Sequence, residues 1–367
     1  MKKFLLCTAV VLLSAAGALK ADVSLIELPE GFGIHVFADG VDNARAMAVS
    51  GSGVVFVGSR SAGKVYAVVD KDRDMKADEV ITIASGLNSP AGVDLFKGDL
   101  YVSEISGIIR FPQIEKTMRS GPEYETIPAS FPDDKLHGWK FIKFGPDEML
   151  YVPVGAPCNV CLKDDPIYAS ITRMKPDGSA HEIYARGIRN TVGFDWHPRT
   201  EVLWFTDNGR DRMGDNRPPD ELNKAPKQGM HFGFPYMHGS DIRDPEYYEY
   251  YKDGKKLIGP EAELGPHVAA LGMRFYDGVM FPDEYRNTIF IAEHGSWNRS
   301  SKIGYRITAV DIIGGQARNY RVFASGWKQG EKAWGRPADV EIANDGSLLV
   351  SDDKAGKIYR IYYGESP

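Results

Sequence analysis

The residues best suited to chemistry gather in one stretch, 187–223, GIRNTVGFDWHPRTEVLWFTDNGRDRMGDNRPPDELN. Arg189 and Asn190 precede a short apolar run at 191–196. Asp207, Asn208, Gly209, Arg210, Asp211, Asp215, Asp220 and Glu221 follow a second run at 202–206. Guanidiniums, amides and carboxylates crowded at the ends of two strands suit an anionic ligand together with a cation. A charged surface loop is the competing reading of the same residues. Outside this stretch the sharpest residue is His137, which lies between Asp133-Asp134-Lys135-Leu136 and Gly138-Trp139-Lys140. An imidazole near its reference pKa is suited to taking a proton from an alcohol. A hydrogen-bonded structural histidine is the alternative.

The elements that must position these groups repeat along the chain. A polar or Gly/Pro lead is followed by a short apolar strand, a turn, a second strand, a loop and a third strand. The runs are 46–49, 54–57 and 64–69; 91–95, 100–103 and 107–111; 139–144, 149–153 and 170–174; 191–196 and 202–206; 272–276, 288–292 and 305–310; and 337–342, 347–351 and 357–362. Six units of roughly 45 to 80 residues predict an all-β fold, a six-bladed β-propeller of four-stranded antiparallel blades. The run 32–38 belongs to no unit and is expected to close the ring with the last one, which removes an open sheet edge. The loops leading into the first strands would then converge on one face. They carry Arg45, Ser89-Pro90, His137-Gly138, Arg189-Asn190 and Gly335-Arg336. That convergence favours a site over scattered surface charge.

Composition sets the bounds. With 43% hydrophobic and 26% charged residues, the chain can bury a large core. The net charge of −6 comes without a basic stripe, which argues against nucleic acid. Residues 1–21 read as a secretory signal: Met1-Lys2-Lys3, then an apolar core too short to span a bilayer. No later run is long enough to cross a membrane, so the expected location is periplasmic or secreted, with 22–367 forming one domain. Only Cys158 and Cys161 then remain, and in an oxidising compartment they are expected to form a local disulfide.

Two further segments carry expectations. Asp70, Asp72, Asp74 and Asp78 alternate as in a calcium loop, although Met75 stands where such loops prefer glycine. The reading is a structural calcium site or a solvated acidic hairpin. Residues 225–268 form a long insertion with an aromatic, acidic run at 247–251, read as a lid or binding loop.

The segments LHGWKFIKFGPDEMLYVPVGAPCNVC, ARGIRNTVGFDWHP, LWFTDNGRDRMGDNRPPDELN, HFGFPYMHG, EHGSWNRSSKIGYRI and WGRPADV are specific together. Through them the chain resembles the soluble quinoprotein sugar dehydrogenases, six-bladed propellers that use pyrroloquinoline quinone (PQQ), and in particular their sorbosone dehydrogenase branch. The resemblance implies oxidation of an aldose or related sugar to the lactone or acid, with PQQ and Ca2+ as cofactors and a cytochrome or quinone as electron acceptor. It puts the catalytic base on His137. It puts cofactor contacts on Arg189, Asn190, Asn208, His267 and Arg336, with Lys302 or Arg299 as the cation near the quinone. The carbonyls of Gly209 and Arg210 would hold the catalytic calcium. PQQ carries three carboxylates, and these arginines and the lysine would balance them. The chain departs from the glucose enzymes at Leu136, where they have an acid, at Asn208, where they have Gln, and at Arg210, where they have proline. These departures count against glucose itself. Two other readings remain: a calcium-dependent propeller lactonase, which would need acidic ligands and no clustered arginines, and a non-catalytic binding propeller, which would not need His137.

Overall fold

A computed structural model describes residues 22–254 and 256–365; the expected signal, 1–21, lies outside them. Six antiparallel sheets form the six blades of a β-propeller. Blade one is Ala44–Val49, Val55–Ser59, Val65–Val69 and Glu79–Ala84. Blade two runs from Val93–Phe96 to Glu125–Ile127, and blade three from Lys143–Phe144 to Glu182–Arg186. Blade four starts at Gly193–Trp196, blade five at Ala270–Phe275 and blade six at Pro337–Ile342. The ring is closed by Phe32–Asp39, which pairs antiparallel with Lys357–Tyr363, from Phe32 opposite Tyr363 to Asp39 opposite Lys357. The two ends of the described chain therefore share one sheet.

Each blade buries both faces against its neighbours, so its second and third strands read as continuous apolar runs such as Val65–Val69 and Ile289–Glu293. The insertion differs from its expected role as a lid. Met230–His231 adds a parallel fifth strand to blade three, and Ala262–Glu263 is the fourth strand of blade four. Two-residue strands give too little alternation to be read from sequence. The expected first strand at 139–144 is shortened to Lys143–Phe144, because the residues before it bond across to blade two.

Polar groups near the axis join the blades in pairs. A carboxylate on the first strand of each even blade, buried at Asp339 and partly buried at Asp94 and Asp195, accepts a backbone N–H from the next blade. Asp94 accepts from Phe144 at 2.6 Å, Asp195 from Phe275 at 3.0 Å and Asp339 from Met47 at 2.9 Å. A hydroxyl on the second strand of the same blade donates to a carbonyl of the same neighbour. Ser103 reaches Lys140 O at 2.7 Å, Thr206 reaches Leu271 O at 2.7 Å and Ser351 reaches Arg45 O at 2.8 Å. Close approach here excludes side chains: a Cβ on Gly92 would lie 2.3 Å from Lys140 O, and one on Gly193 would lie 2.2 Å from Leu271 O.

Thr206→Val keeps the shape of a fully buried side chain and deletes one such clasp. It should cost about 1–3 kcal/mol, the usual penalty for a buried group left without its partner. Denaturant unfolding should show a lower midpoint with an unchanged slope; a wild-type midpoint would show that the hydroxyl does not hold blades four and five together.

Candidate active site

The loops leading into the first strands converge on a cavity of about 510 Å³. Its wall includes Arg45 from blade one, His137 before blade three, Arg189 and Asn190 before blade four, and Arg336 before blade six. Asn208, Gly209 and His267, also expected from sequence, join them.

His137 has a left-handed backbone, φ 54°. Its Nδ1 lies 2.6 Å from the Ala156 carbonyl oxygen. A carbonyl can only accept, so Nδ1 carries the proton and Nε2 keeps its lone pair. Burial, then the positive charge of Arg189 and, more weakly, of Arg60, depress its pKa from 6.5 to about 3. The ring is neutral at any physiological pH.

Arg189 is held in place from several sides. Its Nε donates to Asn159 O at 2.8 Å, Nη1 to Asn208 O at 3.2 Å, and Nη2 to Asn159 Oδ1 at 3.1 Å. Asn159 sits inside the loop that the Cys158–Cys161 disulfide closes, with Cα atoms 6.2 Å apart. Asp207 accepts the backbone N–H groups of Arg189 at 2.8 Å and Asn190 at 2.6 Å. Burial raises the pKa of Asp207, and the backbone donors oppose that shift. Asp220 accepts the N–H groups of Gly209 at 2.9 Å and Ala270 at 3.0 Å. Much of the acidity at 207–221 therefore shapes the loops. Asn208 donates to Ala270 O at 2.6 Å, and His267 Nε2 lies 2.8 Å from Gly214 O. Arg336 donates from Nε to His294 O at 3.0 Å and from Nη2 to Gly295 O at 2.7 Å.

Two sequence expectations are corrected. Lys302 and Arg299 do not line the cavity. Lys302 Nζ donates to Glu331 O at 2.5 Å, and Arg299 Nη2 to Asn216 Oδ1 at 3.3 Å. Their loop is anchored outward by Asp215, which accepts the Ser300 N–H at 3.1 Å; His294, Gly295 and Trp297 face the cavity instead. The Arg210 guanidinium turns outward to bind Asp244 and Glu246; the expectation for this residue concerns its main-chain oxygen, which those contacts leave free. In the acidic hairpin, carboxylate oxygens of Asp70, Asp72 and Asp78 lie within 4.8 Å of one another, but Asp74 is not part of the group. Met75 adopts the left-handed φ of 66° that a glycine would favour, and its N–H donates to Asp70 at 2.9 Å. Sequence reading passed over Arg60, Asn159 and Trp297; none of them leads directly into a first strand.

Residues 123–360 match the Glucose / Sorbosone dehydrogenase family model. The chain belongs to this family. It is 37% identical to an uncharacterized protein of Borreliella burgdorferi over 98% of this chain and 97% of the relative. It is 26% identical to the aldose sugar dehydrogenase of Escherichia coli over 51% of this chain and 46% of that one. In fold it is similar to the holo form of the pyranose dehydrogenase PQQ domain of Coprinopsis cinerea, with a TM-score of 0.77, 16% identity and coverage of 92% and 97%. The PQQ-bound aldose sugar dehydrogenase of Streptomyces coelicolor gives a TM-score of 0.66 at 20% identity, covering 92% and 99%. The glucose/sorbosone dehydrogenase family is thus carried by sequence, and the propeller architecture is shared with both structures.

The depressed pKa of His137 has a definite sign. The unfolded chain takes up a proton near pH 6.5 that the folded protein refuses until about pH 3. The contribution to stability is present above pH 6.5 and is lost as pH falls through that window. By NMR, the His137 ring should not titrate between about pH 8 and pH 5, and His137→Gln should flatten the loss of unfolding free energy on acidification. A ring that titrates near 6.5 would contradict the burial and charge described.

Proposed function

We propose that this protein oxidises an aldose or a related sugar to the lactone or acid, with PQQ and calcium as cofactors and His137 as the general base. The observation that carries the reading is the meeting of His137 with Arg189, Asn190, Asn208, His267 and Arg336 around one cavity, from loops far apart in sequence. The donors suit PQQ, which has three carboxylates. Arg189 and Arg336 face the cavity, against two wall carboxylates, Asp211 and Asp220. Asp220 is already occupied by two backbone N–H groups.

Arg189 and Arg336 would bind carboxylates, and Asn190, Asn208 and His267 would orient the cofactor. The main-chain oxygens of Gly209 and Arg210 would hold the calcium ion. When bound, PQQ takes up the hydride and calcium acts as a Lewis acid on it. The chain's own part is proton transfer. Nε2 of His137, left unprotonated by the bond to Ala156, takes the proton of the sugar hydroxyl. An anion beside Arg189 would cancel part of the charge that depresses the imidazole, while burial, the larger cause, would continue to act. Export through the expected signal would place the protein in the periplasm or outside the cell, with a cytochrome or quinone taking the electrons.

His137→Ala should retain PQQ and lose turnover by about 10² to 10⁴, the usual worth of general-base catalysis. Arg336→Ala should instead weaken PQQ binding, with activity partly recovered at high cofactor concentration. Absorbance titration with PQQ and calcium, followed by dye reduction with a panel of aldoses, separates the two. Near-normal turnover by His137→Ala on its best sugar would sink the assignment.

A further inference from the structure

The cofactor contacts proposed above come mainly from the loops of blades four to six. That leaves two guanidiniums of blade one, Arg45 and Arg60, on the same cavity wall as His137. Arg45 is fully enclosed: its Nε lies 3.3 Å from Asp353 Oδ2 without hydrogen-bond geometry, and Nη1 has no partner. Asp353 is shared, because its other oxygen lies 2.9 Å from His294 Nε2. Arg60 stacks 3.8 Å above the Trp139 indole, and among the described residues it makes no ion pair. Its charge also reaches His137, after burial and Arg189. Beside the histidine stands Leu136, half exposed, which offers no acceptor to a sugar hydroxyl.

We propose that Arg45 and Arg60 bind the carboxylate of an acidic sugar, so that the substrate is a sugar acid of the hexuronate class. The proposal rests on the PQQ-dependent reading of the same cavity. A carboxylate matches the planar fork of a guanidinium and supplies the acceptor that Arg45 lacks. Stacking on Trp139 leaves the edge of Arg60 free to form a two-point contact while fixing its plane. A substrate with its hydroxyl at His137 would lie in the cavity that both arginines line, whereas a neutral sugar would leave the buried Arg45 donors unpaired.

Isothermal titration of D-glucuronate and D-glucose into the protein, with and without PQQ and calcium, tests this. Glucuronate should bind at least about tenfold more tightly than glucose, the worth of one charge-assisted contact. Arg60 is only half-buried, so Arg60→Gln should fold with a wild-type melting temperature. It should remove that preference while leaving PQQ uptake, read by absorbance, unchanged. Arg60→Lys should restore part of it. Equal affinity for the two sugars would overturn the proposal. So would PQQ competing with glucuronate, or Arg60→Gln weakening PQQ uptake, since either assigns the pair to the cofactor. A wild-type protein that takes up no PQQ yet prefers glucuronate would strike the cofactor reading alone.

Discussion

The site depends on the way each even blade grips the next odd blade. Asp94, Asp195 and Asp339 sit on innermost strands, Asp339 buried and the other two partly so, and each is bonded to a backbone N–H of the following blade. Burial raises the pKa of Asp94 and Asp339 to about 6, and nearby Lys143 and Arg274 work against that rise. A buried carboxylate that lost its donors would be costly, so the register between paired blades has little freedom. The hydroxyl clasps from Ser103, Thr206 and Ser351 lie next to the loops that line the cavity: their acceptors are Lys140, Leu271 and Arg45, close in sequence to His137, His267 and Arg45 itself. The inter-blade contacts that close the ring thus also aim the loops that line the cavity.

The acids of the 207–221 stretch serve the same end. Asp207 ties down the backbone of Arg189 and Asn190, and Asp220 ties Gly209 to Ala270 across a blade boundary. Each carboxylate is satisfied by main-chain donors rather than by a guanidinium. The Cys158–Cys161 loop adds a second support from outside, because Asn159 holds both Arg189 and, through Oδ1, the N–H of Asp211 at 2.8 Å. A short disulfide loop adds little chain entropy; its value here is positional.

Much of this was legible because propeller strands are short, apolar and punctuated by turns, and because the leading loops hold their polar residues at fixed places in the repeat. The strand at 32–39 stood out by belonging to no unit, and it closes the ring. The clasps left a fainter mark: Gly92-Val93-Asp94 and Gly193-Phe194-Asp195 repeat a Gly-x-Asp pattern at the start of even units. What resisted was length and direction. Ala262–Glu263 and Met230–His231 are too short for a period, so strands that finish two blades read as an insertion. Loop lengths around 294–303 left Lys302 and Arg299 as equal candidates, whereas backbone anchoring by Asp215 and Glu331 turns both from the cavity. Arg60 follows a second strand, and neither its position in the repeat nor its neighbours in sequence mark it.

Charge decides what the finished cavity can accept. Arg45, Arg60 and Arg336 lie close enough that the charges of Arg45 and Arg336 both weaken the proton affinity of Arg60, and Asp353 is the carboxylate that opposes them. Asp353 in turn is held well below the usual carboxylate range, by Arg45 first and by His294 next, although burial acts against it. Asp353, with Asp339 also acting on Arg45, leaves the three guanidiniums with an excess of positive charge. A neutral ligand would leave that imbalance in place and would pay to desolvate the donors. A polycarboxylate cofactor removes part of it at Arg336, and the remainder lies on blade one, next to the neutral imidazole of His137. On the proposed reading the cavity would favour anions twice over, first in the cofactor and then in the substrate.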